Sequence, residues 1–248
     1  RYNKENNNWQ KHLEGKRGWL SIPNWIQKRW MNNFGKKSVI KLAEFFNQSP
    51  KIFLRCDGLK NSIKKKKFLL EKEGIKTELF SSNFLMVTSG KSKVLASKVF
   101  NDGEISIQSP SAAAVVDCLG AKEGDVVLDV CAAPGTKTLQ LANLIGNEGF
   151  IYASDISLER VRLGEKDEKR HRKRNIKWSL KDASKDSFNS VDKILIDAPC
   201  SGTGVIGRRP DIRWRRNEGD LKKFAKTQLS ILKNCSNYLN NGGIIVYA

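Results

Sequence analysis

Histidine is nearly absent and cysteine follows no pattern. The 248-residue chain has two histidines and five cysteines, Cys56, Cys118, Cys131, Cys200 and Cys235. No Cys-x-x-Cys pair occurs, which argues against a zinc site, and no metal is expected. An odd, irregular cysteine set also excludes a disulfide-stapled secreted scaffold and fits a reducing, cytoplasmic compartment. No run of 18 apolar residues and no signal peptide is present, so no membrane span is expected. The Gly-x-Gly-x-x-Gly fingerprint is missing, so a dinucleotide is not the first ligand to consider. Acidic residues are outnumbered: 26 Asp+Glu face 45 Lys+Arg, for a net charge of +19.

That charge is unevenly placed. Residues 1–100 carry 22 Lys+Arg against 7 Asp+Glu, a net +15, and residues 101–248 carry 23 against 19, a net +4. A basic half beside a near-neutral one points to a polyanion partner. A Lys- and Asn-rich bias with a solvated surface is the bland alternative. Self-repulsion of this size favours nucleic acid.

The organising stretch is Val126–Thr138. An apolar run, Val126 to Val130, is broken only by Asp129 and reads as a buried parallel strand. Small residues follow (Ala132, Ala133, Pro134, Gly135), then a helix pattern through Leu139, Leu141, Leu144 and Ile145. Strand, small-residue turn and helix form the nucleotide-binding corner of a Rossmann-like fold. The helix N-terminus there favours a carboxylate or other anion. An ordinary strand-to-helix turn is the competing reading.

Around this corner strands and helices alternate: Phe150–Ser154, helix 157–170, Asn175–Leu180, Val191–Asp197, helix 217–239 and Ile244–Tyr247. The last helix carries Leu221, Phe224, Ala225, Leu229, Leu232, Cys235 and Leu239 on one side, with Asn217 as its cap and Asn240–Gly243 as its stop. The fold class is α/β, a parallel-rich Rossmann-like sheet with helices on both faces. It is preceded by a small basic α/β unit with strands Lys51–Cys56, Thr77–Phe80, Phe84–Thr88 and Glu104–Gln108 and a helix Asn61–Glu73. Helices are also expected near Ser21–Met31, over Lys36–Asn47, and from Ser109-Pro110 through Cys118. Trp25, Ile26, Trp30 and Met31 read as core packing rather than base stacking. The expected domains are a tail at 1–20 with Trp9 and Trp19, a basic subdomain at 21–108, and a Rossmann-like domain at 109–248. The chain starts at Arg1 and ends inside a strand pattern, so it is expected to be cut at both ends.

Cys131-Ala-Ala-Pro-Gly-Thr-Lys-Thr138, Asp197-Ala-Pro-Cys200 and Gly207-Arg-Arg-Pro-Asp-Ile-Arg-Trp214 occur in that order. Together they resemble the S-adenosylmethionine-dependent RNA (cytosine-5) methyltransferases of the Sun/Fmu family, the branch acting on 16S ribosomal RNA. That family usually has Gly-Gly-Lys where this chain has Gly135-Thr136-Lys137. The resemblance implies S-adenosylmethionine bound by Cys131, Ala132, Ala133, Pro134, Gly135, Thr136 and Lys137, with Asp155, Asp182 and Asp197 nearby. Asp155 stands 20 residues after Gly135, at a strand end where a carboxylate accepts ribose hydroxyls; a helix N-cap is its alternative. Asp182 is assigned to the adenine end by the resemblance and is otherwise a turn residue.

The chemistry of Asp197-Ala-Pro-Cys200 is specific. Cytosine C5 is a weak nucleophile until a thiolate adds to C6. An acid at N3 assists that addition, a role open to Asp197 provided its carboxyl is kept protonated or shares a proton with the base. The resemblance gives Cys200 a part in product release and places the nucleophile in a Thr-Cys-Ser motif beyond Ala248; Cys200 as nucleophile remains chemically open. The resemblance points Lys137 at the target base or cofactor edge. Cys56, Cys118 and Cys235 read as buried hydrophobes. The RNA-binding candidates are Lys64, Lys65, Lys66 and Lys67 on the helix of the basic unit, and Arg208, Arg209, Arg213 and Trp214, with Arg215 and Arg216 beside them. The expected partner is small-subunit ribosomal RNA bound by a monomer, with its target cytosine unstacked. Two other classes remain. An N-methyltransferase would want Asn-Pro-Pro-aromatic at the Asp197 turn, and a non-catalytic RNA-binding or ribosome-assembly protein would keep the pocket without the reaction.

Overall fold

A computed structural model describes residues 20–58 and 60–248. The expected tail at 1–20, with Trp9 and Trp19, lies outside the described residues apart from Leu20. The chain forms two compact units, one of residues up to Pro50 with Cys200–Ala225, the other of Lys51–Pro199 with Lys226–Ala248.

In the first unit, helix α1 spans Asn24–Asn47. It is two helices merged across Gly35, whose φ of 77° and ψ of 160° break the ladder where only glycine is unstrained. The second half begins where the sequence pattern places it. Ile22, Ile26, Trp30, Val39 and Ala43 share a core with Ile206 and Ile212. Met31 departs from its expected place in that core and is 41% exposed.

The second unit contains two sheets. Strands β1 (Ile52–Cys56), β2 (Lys76–Ser81), β3 (Phe84–Ser89) and β4 (Ile105–Ile107) form an antiparallel sheet in the order β2-β3-β1-β4. Helix α2 (Lys60–Lys72) supplies Ile63 and Leu70 to a core with Leu54, Leu85, Val87 and Ile105. Between β3 and β4 a 3-10 helix (Lys91–Ala96) and a short helix α3 (Lys98–Asn101, capped by Ser97) fill a stretch whose sequence announces neither.

Helix α4 (Pro110–Cys118) begins as expected: Ser109 accepts the Ala112 N–H and Pro110 takes the first turn. Cys118 is exposed at its end, contrary to the expectation of burial, because the last turn gives Val116 and the adjoining Leu119 to the core and turns Cys118 away from it. Then come β5 (Val126–Val130), α5 (Thr136–Leu144), β6 (Phe150–Asp155), α6 (Leu158–Arg170), β7 (Ile176–Leu180), β8 (Val191–Ile196) and, after the first unit's segment, α7 (Ile212–Arg215), α8 (Gly219–Ser236) and β9 (Leu239–Tyr247). The sheet order is β7-β6-β5-β8-β9, all parallel. Alternate residues of β5 serve opposite faces. Val127 packs with Leu139 and Leu141 of α5 and with Ile145 just after it, and Leu128 and Val130 pack on the face that receives Ile231 and Cys235 of α8.

Helix α8 is shorter than its sequence pattern. Asp220, not the Asn217 side chain, closes its start, accepting the Asn217 N–H at 3.1 Å. Leu229 is 52% exposed. Asn240–Gly243 is not a helix stop; it lies inside β9, where the register against β8 shifts. Among the described residues no helix is long and apolar enough to cross a membrane.

Trp178 of β7 sits under α6. A Cβ built on Gly164 would lie 2.5 Å from the indole ring, and one on Gly135 3.0 Å from it. Gly164→Ala is therefore expected to cost about 1–3 kcal/mol through overpacking, despite alanine's better helix propensity. A thermal melt several degrees lower checks this; an unchanged melt would show that the ring simply moves aside.

Candidate functional site

Strand order reverses between β6-β5 and β8, so β5 and β8 flank a topological switch point, where ligands bind in open α/β sheets. The turn after β5 and Asp197 after β8 both leave the carboxyl edge at that point. The turn is tight. Cys131 takes a positive φ of 57°, the Ala133–Pro134 peptide is cis, and Gly135 at φ 101° hands the chain to α5. Ala132 and Ala133 are buried. Burial and the neighbouring carboxylates of Asp155 and Asp129 push the Cys131 thiol up to about 12, which disfavours its thiolate.

Asp155 is 2% exposed and belongs to this turn. Its carboxylate accepts the N–H of Ala133 at 3.2 Å and of Ser157 at 3.1 Å, and it pairs with Arg160 at 3.1 Å. Arg160 also donates to the Ala133 carbonyl. The helix cap itself is Ser157, which accepts the Arg160 N–H. Asp182 makes a local turn: it accepts the backbone N–H and the hydroxyl of Ser184, and those bonds hold its carboxyl below the usual range.

Lys137 is the second residue of α5, and its Nζ lies 2.5 Å from Asp197 Oδ2. Lys137 is 17% exposed and Asp197 43%. A lysine in a helix's first turn opposes the helix dipole; the Asp197 carboxylate offsets this and leaves the ion pair open to a ligand.

Asp129, which the sequence marks only as the charged residue in an apolar strand, is fully buried beside this pair. Thr138 donates to Oδ2 at 2.7 Å, and Oδ1 has no partner. Burial raises its carboxyl to about 7 against the pull of Thr138, with Asp197 repelling it further. A lone charge inside a buried strand was the signal for it.

The basic candidates separate by burial. Lys64 and Lys65 are exposed, and Lys67 pairs loosely with Glu71 at 3.9 Å. Lys66 is 4% exposed and its ammonium is held by the Asp57 carbonyl and Ser62. In the other unit Arg208, Arg209 and Arg215 are exposed and Trp214 is 77% exposed. Arg213 turns inward, donating to the carbonyls of Ser21 at 2.8 Å and Phe46 at 3.2 Å. Lys66 and Arg213 thus act as internal tethers where the charge pattern placed phosphate contacts. Cys200 is exposed. Among the described residues no group of three or more His, Cys, Asp or Glu side chains is placed to hold a metal.

Residues 116–248 match the family described as 16S rRNA methyltransferase RsmB/F. The probable ribosomal RNA small subunit methyltransferase B of Bacillus subtilis is 33% identical over 232 residues, covering 92% of this chain and 52% of that protein. Ribosomal RNA small subunit methyltransferase B of Proteus mirabilis is 33% identical over 236 residues, covering 91% and 54%. The chain thus spans about half the length of these curated relatives. A methyltransferase homologue from Pyrococcus horikoshii superposes with a TM-score of 0.76 at 27% identity, over 92% of this chain and 73% of that one. NSun6 from the same organism, solved with SFG, has a TM-score of 0.81 at 23% identity, over 91% and 82%, a likeness of fold.

Proposed function

Because the chain belongs to the RsmB/F family of 16S rRNA methyltransferases, we propose that it is the catalytic part of an enzyme that methylates carbon 5 of a cytosine in small-subunit ribosomal RNA. The observation that carries this reading is the Lys137–Asp197 pair at the switch point, beside the Cys131–Gly135 turn.

The cofactor is S-adenosylmethionine, which supplies an electrophilic methyl group when bound. The residues present suit it. The buried, unpartnered Oδ1 of Asp129 offers an acceptor for an ammonium group. The Cys131–Gly135 turn brings backbone close, and its small residues leave room for a ligand. Asp155 holds that turn in shape through the Ala133 N–H.

Asp197 supports the target base. Thiolate addition at C6 builds electron density at N3, and a proton delivered there lowers the barrier. That proton comes from the ammonium of Lys137, which donates to the Asp197 carboxylate, and Asp197 relays it to N3. Once C5 has formed its new bond to the methyl group, loss of the C5 proton to a base and expulsion of the thiolate from C6 restore the aromatic ring; Cys200 takes the role of assisting release. Exposed Lys64, Lys65, Arg208 and Arg209 contact phosphates, and Trp214 offers a ring for stacking.

The test uses the chain extended through the Thr-Cys-Ser motif that the resemblance implies, with labelled S-adenosylmethionine and unmodified small-subunit ribosomal RNA. Label recovered in 5-methylcytidine is the expected result. Label in another nucleoside would overturn the cysteine mechanism. Absence of label with RNA binding intact would favour a non-catalytic RNA-binding role.

A further inference from the structure

The four-stranded sheet is joined to the cofactor turn through one buried guanidinium. Arg55 of β1 is 2% exposed. It points away from the core that packs under α2, on the same side as its register partner Ser106 of β4. Asp57 holds it in a two-point grip, Nε to Oδ1 at 2.8 Å and Nη2 to Oδ2 at 3.2 Å. Gln108 accepts from Nη1, and Ser106 lies 3.3 Å from Nη2. With its direction set, Nη1 donates to the backbone carbonyl of Thr136 at 3.1 Å, 81 positions along the chain.

Thr136 opens α5, directly after Gly135 and directly before Lys137. The contact therefore fixes the peptide from which the Lys137 side chain departs. The anchor is itself braced: Lys66 donates to the Asp57 carbonyl, and Gln108 donates to Gln140 one turn further along α5 at 3.0 Å. Buried arginines that satisfy several acceptors in a fixed fork hold geometry in a way a flexible ammonium does not.

We propose that Arg55 is a positioning residue of the cofactor site: held by Asp57, it locks the Thr136–Lys137 segment and makes the small sheet part of the cofactor-binding machinery as well as an RNA module. This deepens the methyltransferase reading and rests on it. It also gives the buried Lys66 a purpose, since that lysine braces the anchor of Arg55 instead of meeting RNA.

The test measures S-adenosylhomocysteine binding by calorimetry with the 248-residue chain, comparing Arg55→Ala, Arg55→Lys and Leu70→Ala. Leu70 is fully buried in the small sheet's core and outside the Arg55 network, so its truncation destabilises the sheet without touching Thr136. Arg55→Ala is expected to weaken binding at least ten-fold, and Arg55→Lys several-fold, because an ammonium cannot span Asp57 and Thr136 together. Leu70→Ala, with an equal or larger drop in Tm, should bind within two-fold of the original chain. If Arg55→Ala does not fold, Arg55→Lys carries the comparison. Arg55 variants that bind like the original chain would overturn the inference and leave the cofactor assignment standing, as would an equal loss in Leu70→Ala. An original chain that does not bind S-adenosylhomocysteine overturns the cofactor assignment and this inference with it.

Discussion

Lys137→Met, made in the chain extended through its Thr-Cys-Ser motif, is expected to slow methyl transfer by roughly 10²–10⁴-fold, the range for losing a positioned proton donor or its partner. Methionine keeps most of the aliphatic stem, so packing at the start of α5 survives. What disappears is the ammonium 2.5 Å from Asp197 Oδ2. Asp197 then stands without its cation near a further carboxyl, Asp129, and loses both its orientation and its source of a proton. Asp197→Asn should be comparably damaging, since the amide cannot act as an acid and leaves Lys137 without its counter-charge. The two effects should not add, because both break one unit. Single-turnover rates and RNA affinities separate the possibilities. The expected pattern is a rate collapse with RNA affinity within about two-fold. Rates within ten-fold of the unaltered enzyme in both variants would remove the pair from the mechanism.

Asp129→Asn is expected to make the chain more stable at neutral pH and to weaken its cofactor binding. The folded carboxyl titrates at about 7, against 3.8 for the ordinary group. Below 3.8 both folded and unfolded chains hold the proton, and Asp129 costs nothing. As pH rises from 3.8 to 7 the unfolded chain releases that proton while the folded chain keeps it, so stability falls with rising pH. The slope is about 1.4 kcal/mol per pH unit, and the accumulated cost at pH 7 is on the order of a few kcal/mol. Above 7 both states are ionised and the cost is constant. Asparagine removes this penalty. His171 works in the opposite sense: burial and Arg170 hold it down to about 4, so its contribution is lost as pH falls from 6.5. It is present in both chains and cancels from the difference. Urea unfolding from pH 4 to 8 should show the two stability curves diverging up to pH 7 and then running parallel. Curves parallel throughout would mean that Asp129 is ionised when buried. S-adenosylhomocysteine should meanwhile bind the variant at least ten-fold more weakly, because an amide in place of the carboxylate offers a cationic group no counter-charge. A site that costs stability when empty is what a residue kept for a ligand looks like.

Sequence by itself determined the parallel sheet, the turn after β5, the helix from Lys36 to Asn47 and the Ser109 cap. Each rests on a local cause: an apolar run, a small-residue turn, apolar residues at helical spacing, or a hydroxyl one residue before a helix. It also placed Asp155 and Asp197 at the ends of their strands and Lys137 in the first turn of the helix after β5, because the alternation of elements makes those strands recognisable. Charge counting went further than it could support for Lys66 and Arg213. Both sit in basic runs, and both turn inward to carbonyls that come from other elements. Whether a cation meets water, phosphate or a buried acceptor depends on groups far away along the chain, and no local pattern contains that information. The same holds for Trp178 beneath Gly135 and Gly164, for the raised carboxyl of Asp129, and for Arg55, whose decisive acceptor lies 81 residues away. Tertiary structure alone decided these, because burial changes the cost of a charge and only packing decides what is buried.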